Sequence, residues 1–373
     1  MPDYPPSAYA EIDLNALCDN YRRLCRQARP GQALLAVVKA DAYGHGAVPV
    51  SRALAAAGAP LFAVASVHEG ALLRAAGVAE PILVMGRVAP GEESQLFTQR
   101  LTPYLFDLDS AERFQSAACA AGERLAYHLK VDTGMGRIGF APDDLPAVLP
   151  ALRRLDRLDL DGVMTHCARA DEPGAALTAQ QVGLFSAVLQ QVEAVGFNPT
   201  WRHLANSAAL LGDVAPECNL ARPGIALYGG ESLPSSSDGL RPVMSLRAPV
   251  VQLKTVPAGT GLSYGHTCVT NRATRVAVVA IGYADGYNRL LSSQGEGLLC
   301  GRRIPVLGRV CMDWTLFDVT DLPQVQVGDH ITLLGSDGFG NVLPAEEWAK
   351  KVGSISYEVF CNIGQRVPRI YKN

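Results

Sequence analysis

An aliphatic run, LLAVVK, ends at Lys39 and breaks at once into a turn containing Asp41, Tyr43, Gly44 and Gly46. The run reads as a buried strand that presents an amine at its carboxyl end. A lysine in apolar surroundings holds its proton less tightly than in water, and its neutral amine is a nucleophile toward an aldehyde. Taken alone, VVK also describes an ordinary surface lysine at a strand end, so the rest of the chain must supply the context. A second stretch, GMGRIG from Gly134 to Gly139, has the spacing of a dinucleotide fingerprint. That chemistry needs a helix opening at the glycines, with its N-terminus facing a pyrophosphate. Here FAPDDLP follows instead, and Pro142 and Pro146 delay any helix. Asp159 does fall about 20 residues on, where such a fold keeps an acidic residue. A nicotinamide-dependent dehydrogenase is therefore the rival to an aldehyde-binding lysine.

Elements able to position these groups alternate along the first two thirds of the 373-residue chain. Strand-like runs fall at ALLAVVKA, LFAVAS, ILVMG, LTPYLFD, AYHLKVDT, LDGVMTHC, WRHLANS and GIALYG, with helical patterns between them. Apolar spacing from Leu14 to Leu24 predicts a helix capped by Asp13. Eight strands separated by helices suggest a (β/α)8 TIM-type barrel, in which the loops at the strands' carboxyl ends carry the chemistry; an open doubly wound sheet is the competing topology. Residues 229–242, rich in Gly, Ser and Pro, read as a linker. Beyond it, short alternating runs separated by turns predict a mostly antiparallel β domain. A late helix is expected around PAEEWAKKV, with Pro344 at its first position. The division expected is a barrel over residues 1–238 and a β domain over 239–373, with residues 8–13 able to join the second as a strand.

Composition narrows the function. A net charge of -3 with interspersed signs argues against a nucleic-acid partner or a membrane surface. The N-terminal stretch has no signal-peptide or membrane-span pattern, so a cytoplasmic location is expected. The nine cysteines are scattered without zinc-ligand spacing, and are read as small buried residues in a reducing compartment, with no metal expected.

Nine stretches, KADAYGHG, LKVDTGMGRIG, THCARADEP, HLANSAAL, ARPGIALYGG, LSYGH, GYADGY, GRVCMDW and YEVFCNIGQRVPR, run in one order across nearly the whole chain. Together they resemble the pyridoxal-phosphate-dependent alanine racemases. The resemblance implies a barrel followed by a β domain, and a homodimer whose active sites are shared between subunits. It implies that Lys39 holds the cofactor covalently and serves as one of two bases, and that Tyr264 of the neighbouring subunit is the other. Two are needed because racemisation takes the α-proton from one face of a planar carbanion and returns one to the opposite face. A free tyrosine titrates near ~10, so this phenol needs help to act as a base. His166 and Arg222 match residues that form a hydrogen-bonded chain with it; a single histidine at a strand end would otherwise be read as structural.

The resemblance further places Arg222 against the cofactor's ring nitrogen, where a guanidinium donates a hydrogen bond without giving up its proton. Gly224 and Ile225 match backbone donors to the cofactor's phosphate, and Tyr43, Ser207 and Tyr357 match hydroxyl donors. Ser207 alone reads equally well as a helix N-cap. Arg137 matches a residue reaching the cofactor hydroxyl and the substrate carboxylate, which the backbone of Met312 completes. Lys130 aligns with a lysine that is carbamylated in some members. Departures from the common pattern are Asp41, read as facing solvent, Cys167 and Trp314. Tyr283 matches a residue at the substrate entrance. With Tyr264 and Tyr357 it would narrow the pocket around alanine, although one methylene discriminates by only ~1 to 3 kcal/mol. A broader racemase for serine or other small amino acids therefore stays open. A pyridoxal-phosphate homeostasis protein and an amino-acid decarboxylase are further alternatives, against which the long β domain and Tyr264 speak in the first case.

Overall fold

The computed structural model describes residues 7–214, 217–230, 233 and 239–373. Half of the expected linker, and the expected boundary at residue 238, lie outside the described residues.

Strand β1 (Tyr9–Asp13) leads into α1 (Leu14–Gln27), which opens where Asp13 Oδ1 accepts from Ala16 N at 2.7 Å. The barrel then runs through β2 (Ala33–Val37), β3 (Leu61–Val64), β4 (Ile82–Val84), β5 (Leu101–Leu105), β6 (Leu125–Lys130), β7 (Leu158–Met164), β8 (Trp201–His203) and β9 (Leu220–Ala221). These pair in parallel in the order β8-β7-β6-β5-β4-β3-β2-β9. Strands such as LFAV and ILV are buried along their whole length, as a sheet covered on both faces requires. Between β8 and β9 a side chain substitutes for backbone pairing: Asn219 Oδ1 accepts from Arg202 N and its Nδ2 donates to Thr200 O, each at 2.8 Å. Helices α2 (Lys39–Gly44), α3 (Ala47–Ala56), α4 (Val67–Ala75), α5 (Glu93–Thr98), α6 (Leu108–Ala121), α7 (Leu145–Arg153), α8 (Ala176–Ala194) and α9 (Ser207–Leu211) fill the connections.

One strand expectation is corrected. GIALYG is not the last barrel strand; Ile225–Tyr228 forms a 3₁₀ turn, and the two-residue β9 just before it takes that place. All four residues of the turn are buried, so hydrophobicity alone could not separate strand from helix there.

The second unit is built on β10 (Met244–Val256), a 13-residue strand with irregular register at two points. Then follow β11 (Gly261–Leu262), β12 (Cys268–Val269), β13 (Thr274–Val279), β14 (Glu296–Leu299), β15 (Arg302–Pro305), β16 (Thr315–Asp318), β17 (His330–Ser336), β18 (Val342–Leu343) and β19 (Arg369–Lys372). Pairing is antiparallel except between β1 and β19, so a strand from the chain's start completes this sheet. Helix α10 (Ala345–Val352) starts one residue after Pro344, which holds the extended cap position rather than the first helical one, and α11 (Ser356–Cys361) follows. Of the cysteines, Cys167 and Cys218 are buried but Cys25, Cys119, Cys300 and Cys361 are exposed, against the expectation of small buried residues; none forms a disulfide.

Candidate active site

At the carboxyl ends of the barrel strands lies a cavity of about 1150 Å³, walled on one side by α10 and α11. Lys39, Tyr43, Lys130, Arg137, His166 and Arg222 line it, together with Ser207, Gly224, Ile225 and Tyr357. Ten of the expected site residues are thus brought together, from strand ends far apart in the chain.

Lys39 is followed by a turn that propensity would not predict. Ala40, Asp41, Ala42 and Tyr43 have φ of 52°, 52°, 54° and 55°, a left-handed helical turn of residues that all carry a Cβ. Such backbone costs roughly 1–2 kcal/mol per residue, so surrounding bonds must hold it. Glu69 accepts from Ala40 N at 2.9 Å and from Ala65 N at 2.6 Å. Asp41 Oδ1 accepts from Ala47 N at 2.6 Å and so caps α3 from its solvent-exposed position. The buried His45 ring lies 3.0 Å from the carbonyls of Ala42 and Tyr43, and Arg369 from β19 donates to Gly44 O at 2.9 Å. The turn carries Lys39 and Tyr43 into the same cavity. Burial, then the nearby Arg137, pulls the Lys39 amine below its usual range, which favours the neutral nucleophile.

Arg222 is buried and donates on four sides. Its Nη2 donates to Thr165 O (2.9 Å), Leu204 O (3.1 Å) and His166 Nδ1 (3.1 Å), and its Nη1 to His203 Nδ1 (3.0 Å). Since a guanidinium only donates, His166 must accept through Nδ1 and keep its proton on Nε2. Burial, with Arg222, Lys130, Arg137 and Lys39 around it, keeps His166 neutral, its pKa well below the ordinary value.

The Ser207 hydroxyl accepts from Gly224 N at 2.9 Å and Ala226 N at 3.3 Å. This modifies two expectations. The Gly224 N–H is committed to Ser207, and the N-cap of α9 is Asn206, which accepts from Ala209 N at 2.9 Å. With its lone pairs so engaged, the Ser207 oxygen has its own proton left to donate. A Cβ at position 224 would lie 2.4 Å from the Tyr43 hydroxyl, so only glycine lets that ring approach. Tyr43 and Tyr357 stand with ring centroids 5.8 Å apart, and burial pushes the Tyr357 phenol up to about 12. The cavity is thus rich in donors and cations, the composition an anionic ligand requires.

The GMGRIG stretch does something other than bind a nucleotide. Its loop wraps Asp132, whose carboxylate accepts from the N–H groups of Gly134 (2.9 Å), Met135 (2.7 Å), Gly136 (3.1 Å) and Arg137 (2.9 Å). Partial burial raises this carboxyl, but the four N–H groups hold it below the usual carboxylate range. The donors that would face a pyrophosphate are taken, and Asp159 is ion-paired with Arg124 at the surface. The loop's effect is to fix the backbone of Arg137 at the cavity's edge.

Lys130 is buried, and its amine has no hydrogen-bond partner among the described residues. Burial, with Arg222 and Arg137 nearby, brings its pKa down to about 7. Below that pH the amine is charged in both folded and unfolded chain, and the folded state bears the whole desolvation penalty. Above it the folded protein sheds a proton that the unfolded chain keeps to about 10.4, so stability rises with pH across that window. Calorimetry in bicarbonate-free buffer is expected to show this rise in the wild type and to lose this component of it in Lys130→Met; identical slopes would refute it.

Three expected residues are not in the cavity. Tyr264, Met312 and Tyr283 are 71%, 53% and 41% exposed and sit together on the second unit. Tyr283 N and Ala284 N donate to Cys311 O and Met312 O at 3.0 and 3.1 Å, and Ser263 Oγ donates to Arg309 O at 2.6 Å. Three loops are thereby tied into one patch whose Tyr264, Tyr283 and Met312 do not line their own chain's cavity.

Sequence reasoning missed His128 and His203, both fully buried, although they stand inside runs already read as strands. The available signal was phase: His128 lies two residues before Lys130 on β6, on the same inward face. Tyr104, another cavity residue, was missed for want of any motif around it. Among the described residues there is no cluster of His, Cys, Asp or Glu placed to hold a metal ion, and no helix is long and apolar enough to cross a membrane.

Residues 12–232 match the family described as "Alanine racemase, N-terminal domain" and residues 243–371 the one described as "Alanine racemase, C-terminal domain". A protein of Geobacter sulfurreducens named alanine racemase is 45% identical over 371 residues, covering 98% of this chain and 97% of that one. One of the same name from Desulfovibrio desulfuricans is 41% identical over 374 residues, covering 100% of both. The crystal structure of alanine racemase from Streptomyces lavendulae superposes with a TM-score of 0.94 at 38% identity, covering 100% of this chain and 98% of that one. That of Bacillus anthracis, with bound L-Ala-P, superposes with a TM-score of 0.89 at 35% identity, covering 100% and 96%.

Proposed function

The chain belongs to the alanine racemase family and is an isomerase of alanine; from that premise we propose that it works on pyridoxal 5'-phosphate, with Lys39 of one subunit and Tyr264 of another as its two bases. The observation that carries this reading is the pairing of Lys39, an amine with a loosened proton, with a donor-only Arg222 in one cation-lined cavity. The residues fit the cofactor. Ser207, Tyr43 and Tyr357 offer hydroxyl protons and Ile225 a backbone N–H to the phosphate, with Gly224 shaping the turn by binding Ser207. Bound there, pyridoxal phosphate supplies the electron sink that stabilises an α-carbanion.

The chain's own groups do the rest. Lys39 would hold the cofactor by its aldehyde and move a proton on one face of the substrate α-carbon. Arg222 would hold the ring nitrogen by a hydrogen bond while keeping its own proton. Through His166, whose Nε2 proton faces outward from the Arg222 contact, it would also orient the phenol of a partner tyrosine on the other face. Arg137 and the backbone of Met312 hold the substrate carboxylate. The exposed Tyr264, Tyr283 and Met312 patch fits a homodimer in which each subunit completes the other's site.

A neutral Lys130 amine can add to carbon dioxide, forming an N–C bond and releasing a proton. The resulting carbamate would answer the charges of Arg137 and Arg222. A carbamate carbon signal in ¹³C-bicarbonate, absent in Lys130→Met, tests this. The reading extends to a cytoplasmic enzyme that supplies D-alanine for peptidoglycan or degrades it.

The direct test is to add pyridoxal phosphate to the full chain, reduce with borohydride and map the label. The protein is expected to turn yellow and to carry the reduced cofactor on Lys39. A colourless protein that binds NADH instead overturns the reading.

A further inference from the structure

Arg222 is itself held by a line of side chains to which the motifs assigned no role. His203 Nδ1 takes its Nη1 proton at 3.0 Å, His203 Nε2 lies 2.8 Å from His128 Nδ1, and His128 Nε2 lies 3.6 Å from Asp161 Oδ2. The two ends set the direction of every proton. A guanidinium can only donate and a carboxylate only accept. His203 must therefore be bare at Nδ1 and protonated at Nε2, and His128 the same. A doubly protonated ring at His203 would set two donors against each other at its Arg222 contact.

The backbone is built to make this line. β7 pairs Leu160 with Tyr127 and Gly162 with His128, so Asp161 is an extra residue, a bulge of the kind that re-aims a side chain. Gly162 is required beside it: a Cβ there would lie 2.5 Å from His128 Nδ1 and 2.7 Å from its Cε1. His128 and His203 are buried, with rings 4.9 Å apart at 74°, while Asp161 is half-buried at the far end.

We propose that Asp161, His128 and His203 are positioning residues for Arg222: their fixed proton order holds the guanidinium in one orientation, as a donor toward the cofactor ring. The meaning of that orientation rests on the function proposed above. The relay's existence does not, and the two are tested separately.

The experiment uses full-length holoenzyme labelled with ¹⁵N-histidine. Both His128 and His203 are expected as neutral rings with bare Nδ1 and protonated Nε2. Finding Nδ1–H or a cationic ring at either overturns the proposal without any variant. Asp161→Leu removes the acceptor, so a second tautomer is expected at His128 and His203, with kcat lowered about tenfold and KM changed less than about twofold. Asp161→Glu is expected to restore the wild-type tautomers. Unchanged tautomers and kcat in a folded Asp161→Leu overturn the proposal; should that variant not fold, the wild-type spectrum still decides. Failure of the holoenzyme to form with pyridoxal phosphate defeats the functional reading instead, whatever the tautomers are.

Discussion

Lys39→Ala and Tyr264→Phe are each expected to lower alanine racemisation by about 10²–10⁴-fold, the usual worth of a positioned acid or base. Overall rates cannot tell them apart. The enantiomers of alanine have equal free energy, so kcat/KM in the two directions stays equal in any variant. Exchange of the α-proton with solvent deuterium can separate them, because it reports proton removal from one face alone. With excess pyridoxal phosphate supplied, each variant is expected to keep exchange for one enantiomer and lose it for the other, and the retained enantiomer is expected to differ between them. The Tyr264→Phe change removes only an oxygen that is exposed on its own chain, so its fold is expected to survive. Loss of the same enantiomer in both variants would place the two groups on one face and defeat the two-base assignment.

Arg222→Glu is expected to change what the enzyme makes as well as how fast. A carboxylate against the ring nitrogen raises that nitrogen's basicity and draws carbanion charge into the ring, which favours protonation away from the α-carbon. Racemisation is expected to fall about 10²-fold while the transamination product rises at least about tenfold relative to racemised product, measured as pyruvate formed per turnover. The substitution also strikes the protein. Thr165 O and Leu204 O lose their donor, and the bare Nδ1 atoms of His166 and His203 would face an acceptor. A stability loss on the order of 3–5 kcal/mol is expected, visible in urea unfolding. Arg222→Lys separates the effects, since it keeps the positive charge but cannot serve all four partners. No rise in transamination for a folded Arg222→Glu would refute the role proposed for Arg222 at the ring nitrogen.

The barrel was legible in the sequence because its strands are buried on both faces and read as uninterrupted aliphatic runs. It failed at β9, where Leu220–Ala221 is too short to leave a pattern and the longer apolar run beside it coils into a 3₁₀ turn. Lys39 was visible as a residue, but the left-handed turn that sets its direction was not. Ala40 to Tyr43 carry no glycine, and the bonds that hold them come from Glu69 and Arg369, distant in sequence. Ser207 was placed one residue off its helical role because Asn206 and Ser207 are both capable caps. The glycines of GMGRIG were read for their spacing, yet Asp132, just before them, decides what the loop's N–H groups bind. Residues of the exposed patch, Tyr264 and Met312, were found only through resemblance, since nothing in one chain brings them to a cavity.

The proposed sharing of each site between two chains is most directly tested by mixing the two inactive variants. A dimer of one Lys39→Ala chain and one Tyr264→Phe chain carries one site with both changes and one with neither. After dissociation and random reassociation, about half the dimers are mixed, so activity is expected to return to about a quarter of wild type. Mixed dimers that form, as mass analysis of differently tagged chains would show, yet remain inactive would mean that Lys39 and Tyr264 do not meet across the interface.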